Sequence, residues 1–120
     1  MEDKLNASDL SFLKTFTDGD TGRMVKYINN FLSMAPEKIA ALQSKLDEKN
    51  WDELRGAAHK LKPQLSYMGI NSIKDDIQKI EDFAAEEKNL EQLPELVATV
   101  SSACQKAFKE LNAFVRSVNQ

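Results

Sequence analysis

The segment NWDELRGAAHKLKPQLSYMG, residues 50–69, decides the reading of the fold. Leu54, Ala58, Leu61, Leu65 and Met68 recur at alternating intervals of four and three residues, the rhythm of one buried helix face. Asn50 is the expected N-cap, with Glu53 three residues on as in a capping box. Gly69 is set to end the helix, because glycine takes the left-handed cap conformation without a Cβ penalty.

The same rhythm continues on both sides. Val25, Ile28 and Leu32 form a stripe expected to stop over residues 33–36, with Pro36 in the first turn of the next helix, where its missing N–H does no harm. Ile39, Leu42 and Leu46 carry that next stripe. After Gly69 come Ile70, Ile73, Ile77, Ile80 and Ala84, with Ser72 and Asp75 as the start signal. The last and longest stripe follows Asn89 through Leu93, Val97, Val100, Cys104, Ala107 or Phe108, Leu111, Val115 and Val118. Two shorter helical pieces, around residues 8–17 and 20–34, come first and are split by Asp18-Gly19. No strand alternation competes, and no internal repeat of the solenoid kind is found. Short links between amphipathic helices make antiparallel neighbours. The expected fold is therefore all-α, an up-and-down antiparallel four-helix bundle with one or two short additional N-terminal helices. Residues 1–19 form the N-terminal segment and residues 20–118 the bundle domain.

Composition bounds the function. The 120 residues are enough for one continuous core, and a net charge of −3 argues against a broad nucleic-acid footprint, which needs a basic face. One cysteine, Cys104, forms no internal disulfide, and with a single histidine it builds no zinc cluster. It fits a small buried hydrophobe. The opening residues carry no apolar run and no segment has membrane-spanning length, so a cytoplasmic chain without membrane attachment is expected. The acidic pairs Asp75-Asp76, Glu81-Asp82 and Glu86-Glu87 read as a solvated helix face. Trp51 reads as sealing a bundle end, and Met24, Phe31 and Met34 as core or hydrophobic rim.

The single histidine, His59, lies well over a right angle from the centre of the buried stripe of residues 54–68, on an exposed line with Asp52, Gly56, Pro63 and Tyr67. Two residues beside it break helix rules. Gly56, one turn before, costs about 1 kcal/mol relative to alanine. Pro63, one turn after, costs about 3 kcal/mol and strands the His59 carbonyl. Broken local rules on both sides of one residue, with no packing gain to offset them, mark a functional position. Both side chains are compact and leave the imidazole open to something large. A convex helix face has no cavity for a small substrate. An exposed imidazole is a good nucleophile near neutral pH, and Lys60 and Lys62 supply point charges for a phosphoryl group. The residues thus point to an imidazole presented to a partner protein that brings the rest of an active site. Arg55 either steers an acidic partner or pairs with Asp52 or Glu53. Tyr67 is either a surface tyrosine or part of an apolar docking patch.

Ala58-His59-Lys60-Leu61-Lys62-Pro63, followed by Met68-Gly69, resembles the signature of the histidine-containing phosphotransfer (HPt) domain family, and the flanking stripes extend the resemblance over most of residues 20–117. The resemblance implies that His59 accepts a phosphoryl group from a receiver-domain aspartate and passes it to another receiver. It makes Lys62 the support of the phosphorylated ring and Gly69 the glycine that ends the histidine-bearing helix. It also implies a carrier rather than an enzyme, whose partners are response-regulator receiver domains and a hybrid histidine kinase. No cofactor or metal is then expected on this chain, Mg²⁺ being supplied by the receiver. Arg55, Gly56, Lys60, Pro63, Gln64 and Tyr67 become the partner-binding residues. Pro63 stands where the family most often has glycine, and Gln64 where it has a small residue. A monomer is expected, since one chain supplies all four helices. The alternative is an adaptor that keeps the bundle and binds a receiver or kinase without being phosphorylated.

Overall fold

A computed structural model describes residues 7–118. Helix α1 spans Ser11–Phe16, α2 Thr21–Asp47, α3 Trp51–Tyr67, α4 Lys74–Glu86 and α5 Leu93–Val118, with 3₁₀ turns at Asn71–Ile73 and Leu90–Gln92. The described residues contain no strand. Helices α2 to α5 run up and down beside one another through links of three to six residues and make a bundle 46 Å long and 20 Å across. The stripes read from the sequence face inward: Leu54, Ala58, Leu61 and Leu65 from α3, Ile77, Ile80 and Ala84 from α4, and Leu93, Val97, Val100, Cys104, Ala107, Phe108, Leu111 and Val115 from α5. Val118 is half-buried.

Helix α2 departs from expectation. It does not break over residues 33–36 but continues through Pro36 for 27 residues. Its buried stripe is Met24, Ile28, Phe31, Ala35, Ile39, Leu42 and Leu46, unbroken across the proline, while Val25 and Leu32 sit half-buried on its flank. Each large apolar side chain buried contributes about 1.5–3 kcal/mol, so the stripe outweighs the roughly 3 kcal/mol that an interior proline costs. Pro36 is exposed, and its ring meets water rather than the core. Met24 and Phe31 are core, Phe31 packing edge-on against Phe108 at 5.8 Å, and Met34 is half-buried.

The caps follow the sequence in part. Asn50 Oδ1 accepts the Glu53 N–H at 3.2 Å, and Asn50 Nδ2 donates to Glu53 Oε2 at 2.9 Å. Ser72 and Asp75 do not cap α4; a 3₁₀ turn leads into it, and its start has no side-chain hydrogen bond. Trp51 is half-buried against the core at the bundle end.

Gly69 does more than end α3. It has φ +65°, and a Cβ there would collide with the backbone of Asp9. The chain before α1 crosses the bundle end at this point. The Asp9 N–H donates to the Met68 carbonyl at 3.2 Å. The Glu110 carboxylate on α5 accepts the N–H of Ala7 at 2.8 Å, the N–H of Ser8 at 3.1 Å and the Ser8 hydroxyl at 3.0 Å. Leu10, Leu13 and Thr17 are buried, and the Thr17 hydroxyl donates to the Leu13 carbonyl. This strap holds α1 against the ends of α2 and α3.

Candidate functional site

Ala58 and Leu61 are fully buried, and this fixes the rotation of α3 about its axis. His59 therefore points away from the core, with its side chain 65 % exposed. Its Nδ1 is 3.0 Å from Glu81 Oε1 on α4. A carboxylate only accepts, so the contact requires a proton on Nδ1 and leaves Nε2, on the far side of the ring, as the free nitrogen. Nε2 has no partner among the described residues.

Glu81 is no member of a solvated face: its side chain is only 16 % exposed. On the α4 wheel it stands about 70° from the centre of the Ile77/Ile80/Ala84 stripe, at the edge of the packed surface, whereas Asp82 stands opposite. Burial pushes the Glu81 carboxyl up, but the hydrogen bonds from His59 and Lys62, together with the lysine charge, outweigh it and hold the group below its ordinary range. Lys62 Nζ donates to Gln78 Oε1 at 2.8 Å and lies 3.3 Å from Glu81 Oε1. Gln78 Nε2 in turn donates to Asp82 Oδ1 at 2.9 Å. The imidazole and the lysine thus share one carboxylate, and a glutamine holds the lysine from the other side.

The sequence singled out His59 and Lys62 but not Glu81 and Gln78. A wheel of α4 marks Glu81 as a boundary residue. Its being opposite His59, rather than a turn away, depends on how α4 slides along α3, which no local pattern states.

The other candidate residues divide between two hollows along the seam of α2 and α3. Gly56 and Lys60 lie with Lys38, Lys45, Asp52, Glu53 and Arg55 around a hollow of about 480 Å³. Arg55 pairs with Asp52 at 3.5 Å and Lys45 with Glu53 at 2.9 Å, leaving Lys38 and Lys60 without a carboxylate partner among the described residues. Lys60 therefore faces the α2 side and stays out of the Lys62–Glu81 cluster. Gln64 and Tyr67 line the second hollow, toward α1. Pro63 is exposed on the ridge between His59 and Tyr67, and α3 runs through it to Tyr67. Gly69 is buried at the bundle end and belongs to the scaffold. Among the described residues no group of three His, Cys, Asp or Glu is arranged to hold a metal, and no helix is long and apolar enough to cross a membrane. Cys104 is buried in the α5 stripe, and burial pushes its thiol up to about 12, away from thiolate chemistry.

Residues 26–114, most of α2 through α5 with the His59 cluster at their centre, match the Hpt domain family. The chain belongs to that family. Hpt domains are phosphocarrier modules of phosphorelays and work with receiver domains and kinases of two-component systems. The match begins inside α2, so the strap and α1 lie outside the Hpt segment. Comparison with individual curated proteins and with solved structures returns no match.

Proposed function

We propose that this Hpt domain carries a phosphoryl group on Nε2 of His59, taking it from the aspartyl phosphate of one receiver domain and giving it to the aspartate of another. The observation that carries the reading is the Nδ1–Glu81 contact at 3.0 Å on a histidine otherwise open to solvent. The Nε2 lone pair attacks phosphorus, and the bond from phosphorus to the aspartyl oxygen breaks with its electron pair, releasing the receiver's carboxylate. The product ring holds the phosphoryl group on Nε2 and keeps the Nδ1 proton, so it is cationic, and Glu81 faces that cation. On the way out the ring leaves as neutral imidazole, because Nδ1 never gives up its proton. Glu81 is thus a positioning residue that keeps one tautomer through both steps.

Lys62 is the phosphate support. It starts bound to Gln78 Oε1 and to both Glu81 oxygens, and it exchanges the longest of these bonds, 3.4 Å to Glu81 Oε2, for a phosphoryl oxygen, acting as a point charge. Phosphoryl transfer asks for positioning and charge stabilisation more than covalent help, so a convex face is sufficient when the partner brings the rest. In this reading the receiver supplies Mg²⁺ and the acidic pocket, the chain works as a carrier rather than an enzyme, and its setting is the cytoplasm.

The test is to mix the purified chain with a receiver domain charged by a small phosphodonor and Mg²⁺, then measure intact mass beside a His59→Gln control. One acid-labile phosphoryl group, absent in the control, is expected. Receivers that bind without transferring would turn the reading to the adaptor.

A further inference from the structure

Gln78 brings an amide, donor and acceptor on one plane, between a lysine that only donates and two carboxylates that only accept. It is half-buried on α4, one turn before Glu81 and Asp82. Its Oε1 accepts Lys62 Nζ at 2.8 Å, and its Nε2 donates to Asp82 Oδ1 at 2.9 Å. Nε2 carries a second hydrogen, and Glu81 Oε2 stands 3.5 Å away on that side. These neighbours leave the amide one orientation, oxygen to Lys62 and nitrogen to the acids. Exposed Asp82 holds it there, as the later member of an i,i+4 pair of the kind that steadies a helix surface.

Transfer changes what Lys62 has to hold. When it turns to a phosphoryl oxygen it gives up its bond to Glu81 Oε2, now 3.4 Å long. The Glu81 side chain is only 16 % exposed, so water replaces the lost donor poorly, and a carboxylate oxygen left unpaired there is costly. Gln78 Nε2 is almost as near that oxygen as the lysine is, and a small rotation of the amide closes the bond. Gln78 Oε1 keeps its own bond to Nζ meanwhile. The lysine therefore turns about an anchored point and is not released to solvent, where a long side chain regains its rotamer freedom.

We infer that Gln78 is a positioning residue for phosphoryl transfer at His59: its oxygen anchors Lys62 while its nitrogen takes over the Glu81 oxygen that Lys62 leaves. This inference rests on the phosphocarrier reading of His59. The covalent step is unaltered, since Gln78 exchanges hydrogen bonds only and no proton leaves it. Its help arises as Lys62 turns, so it lowers the barrier and leaves the resting site nearly as it was. Glu81 Oε1 keeps the imidazole throughout, which separates the two residues: Glu81 acts on the ring, and Gln78 acts through the lysine.

The experiment charges wild type, Gln78→Met, Lys62→Ala and the Lys62→Ala/Gln78→Met double variant with phosphoramidate, following one added phosphoryl group by intact mass. Nε2 attacks phosphorus and ammonia leaves with the electron pair of the P–N bond, so this arm needs no receiver. Methionine keeps the length of glutamine without its amide. Gln78→Met should slow charging about tenfold, the effect of one lost hydrogen bond to a charged group. Without Lys62 there is no exchange to assist, so the double variant should charge within about twofold of Lys62→Ala. Nitrogen NMR of His59 in Gln78→Met should show the wild-type tautomer. Charging of Gln78→Met within about twofold of wild type overturns the inference. Equal slowing with and without Lys62 also overturns it, because a merely structural glutamine gives that result, and a mixed tautomer in Gln78→Met does so by assigning the residue to the ring. The same four proteins are then mixed with a phosphorylated receiver. Wild type that phosphoramidate charges, but that takes no phosphoryl from receivers it binds, overturns the relay alone, and the phosphoramidate rates still decide Gln78. A His59 that neither donor charges overturns both.

Discussion

Replacing Gly56 by alanine is expected to stabilise the protein and slow its phosphotransfer. An interior glycine costs a helix about 0.8–1.0 kcal/mol relative to alanine, through backbone entropy. That gain survives only if the new methyl meets nothing, and a Cβ at Gly56 has no atom within 4 Å. The residue lies inside α3 with no positive φ, so no strain offsets the gain. The expected change is about +1 kcal/mol, which for a domain of this size raises Tm by about 3–5 °C. The methyl enters the hollow shared with Lys38 and Lys60, one turn from His59, where a docked receiver approaches the helix. The rate of transfer from a charged receiver should fall, and Gly56→Leu should lower it further. Thermal melts followed by circular dichroism give the first quantity, and time-resolved transfer from a phosphorylated receiver gives the second. A lower Tm for Gly56→Ala would refute the packing argument. A higher Tm with undiminished transfer even in Gly56→Leu would refute the claim that glycine opens the face to a partner.

Glu81→Ala should free the imidazole to exchange tautomers and lower phosphoryl acceptance by about tenfold, the lower end of what a charge-assisted hydrogen bond supports; nitrogen NMR of His59 should change from one tautomer to a mixture, and an unchanged spectrum would count against the positioning role. Glu81 also links stability to pH. Its folded pKa lies below the ordinary 4.5, so its contribution is complete above about pH 4.5 and disappears as pH falls through the lower folded value. The stability difference between wild type and Glu81→Gln, measured by urea titration, should therefore shrink between pH 5 and acid, and a difference that grows instead would reverse the sign. Gly69→Ala places a Cβ against the Asp9 backbone at a left-handed φ and should cost at least about 1–2 kcal/mol. Faster hydrogen exchange at the Asp9 amide would report the strap lifting, and a Tm equal to wild type would contradict the geometry.

What the sequence determines by itself is local. The three–four spacing through Leu54, Leu61 and Leu65 sets which face of α3 is buried, and with it the exposure of His59. The Asn50 cap and the order of the bundle helices come from the same short-range patterns. Where those patterns compete with burial along a whole helix, they lose: Pro36 looks like a helix start, yet the stripe from Met24 to Leu46 carries α2 straight through it. The remainder depends on how helices slide against one another. Glu81 reads as one more surface acid until α4 docks on α3 and sets it 3.0 Å from the imidazole, 22 residues away in the chain. Gly69 reads as an ordinary helix end until the strap crosses it at Asp9. Phe12, Phe16, Tyr27 and Tyr67 show no shared period, because they come from three elements and meet only when Glu110 ties down the segment before α1. Periodicity is a property of one helix and is written in its residues. Register between helices is a property of the packed core, and only the tertiary structure decides it.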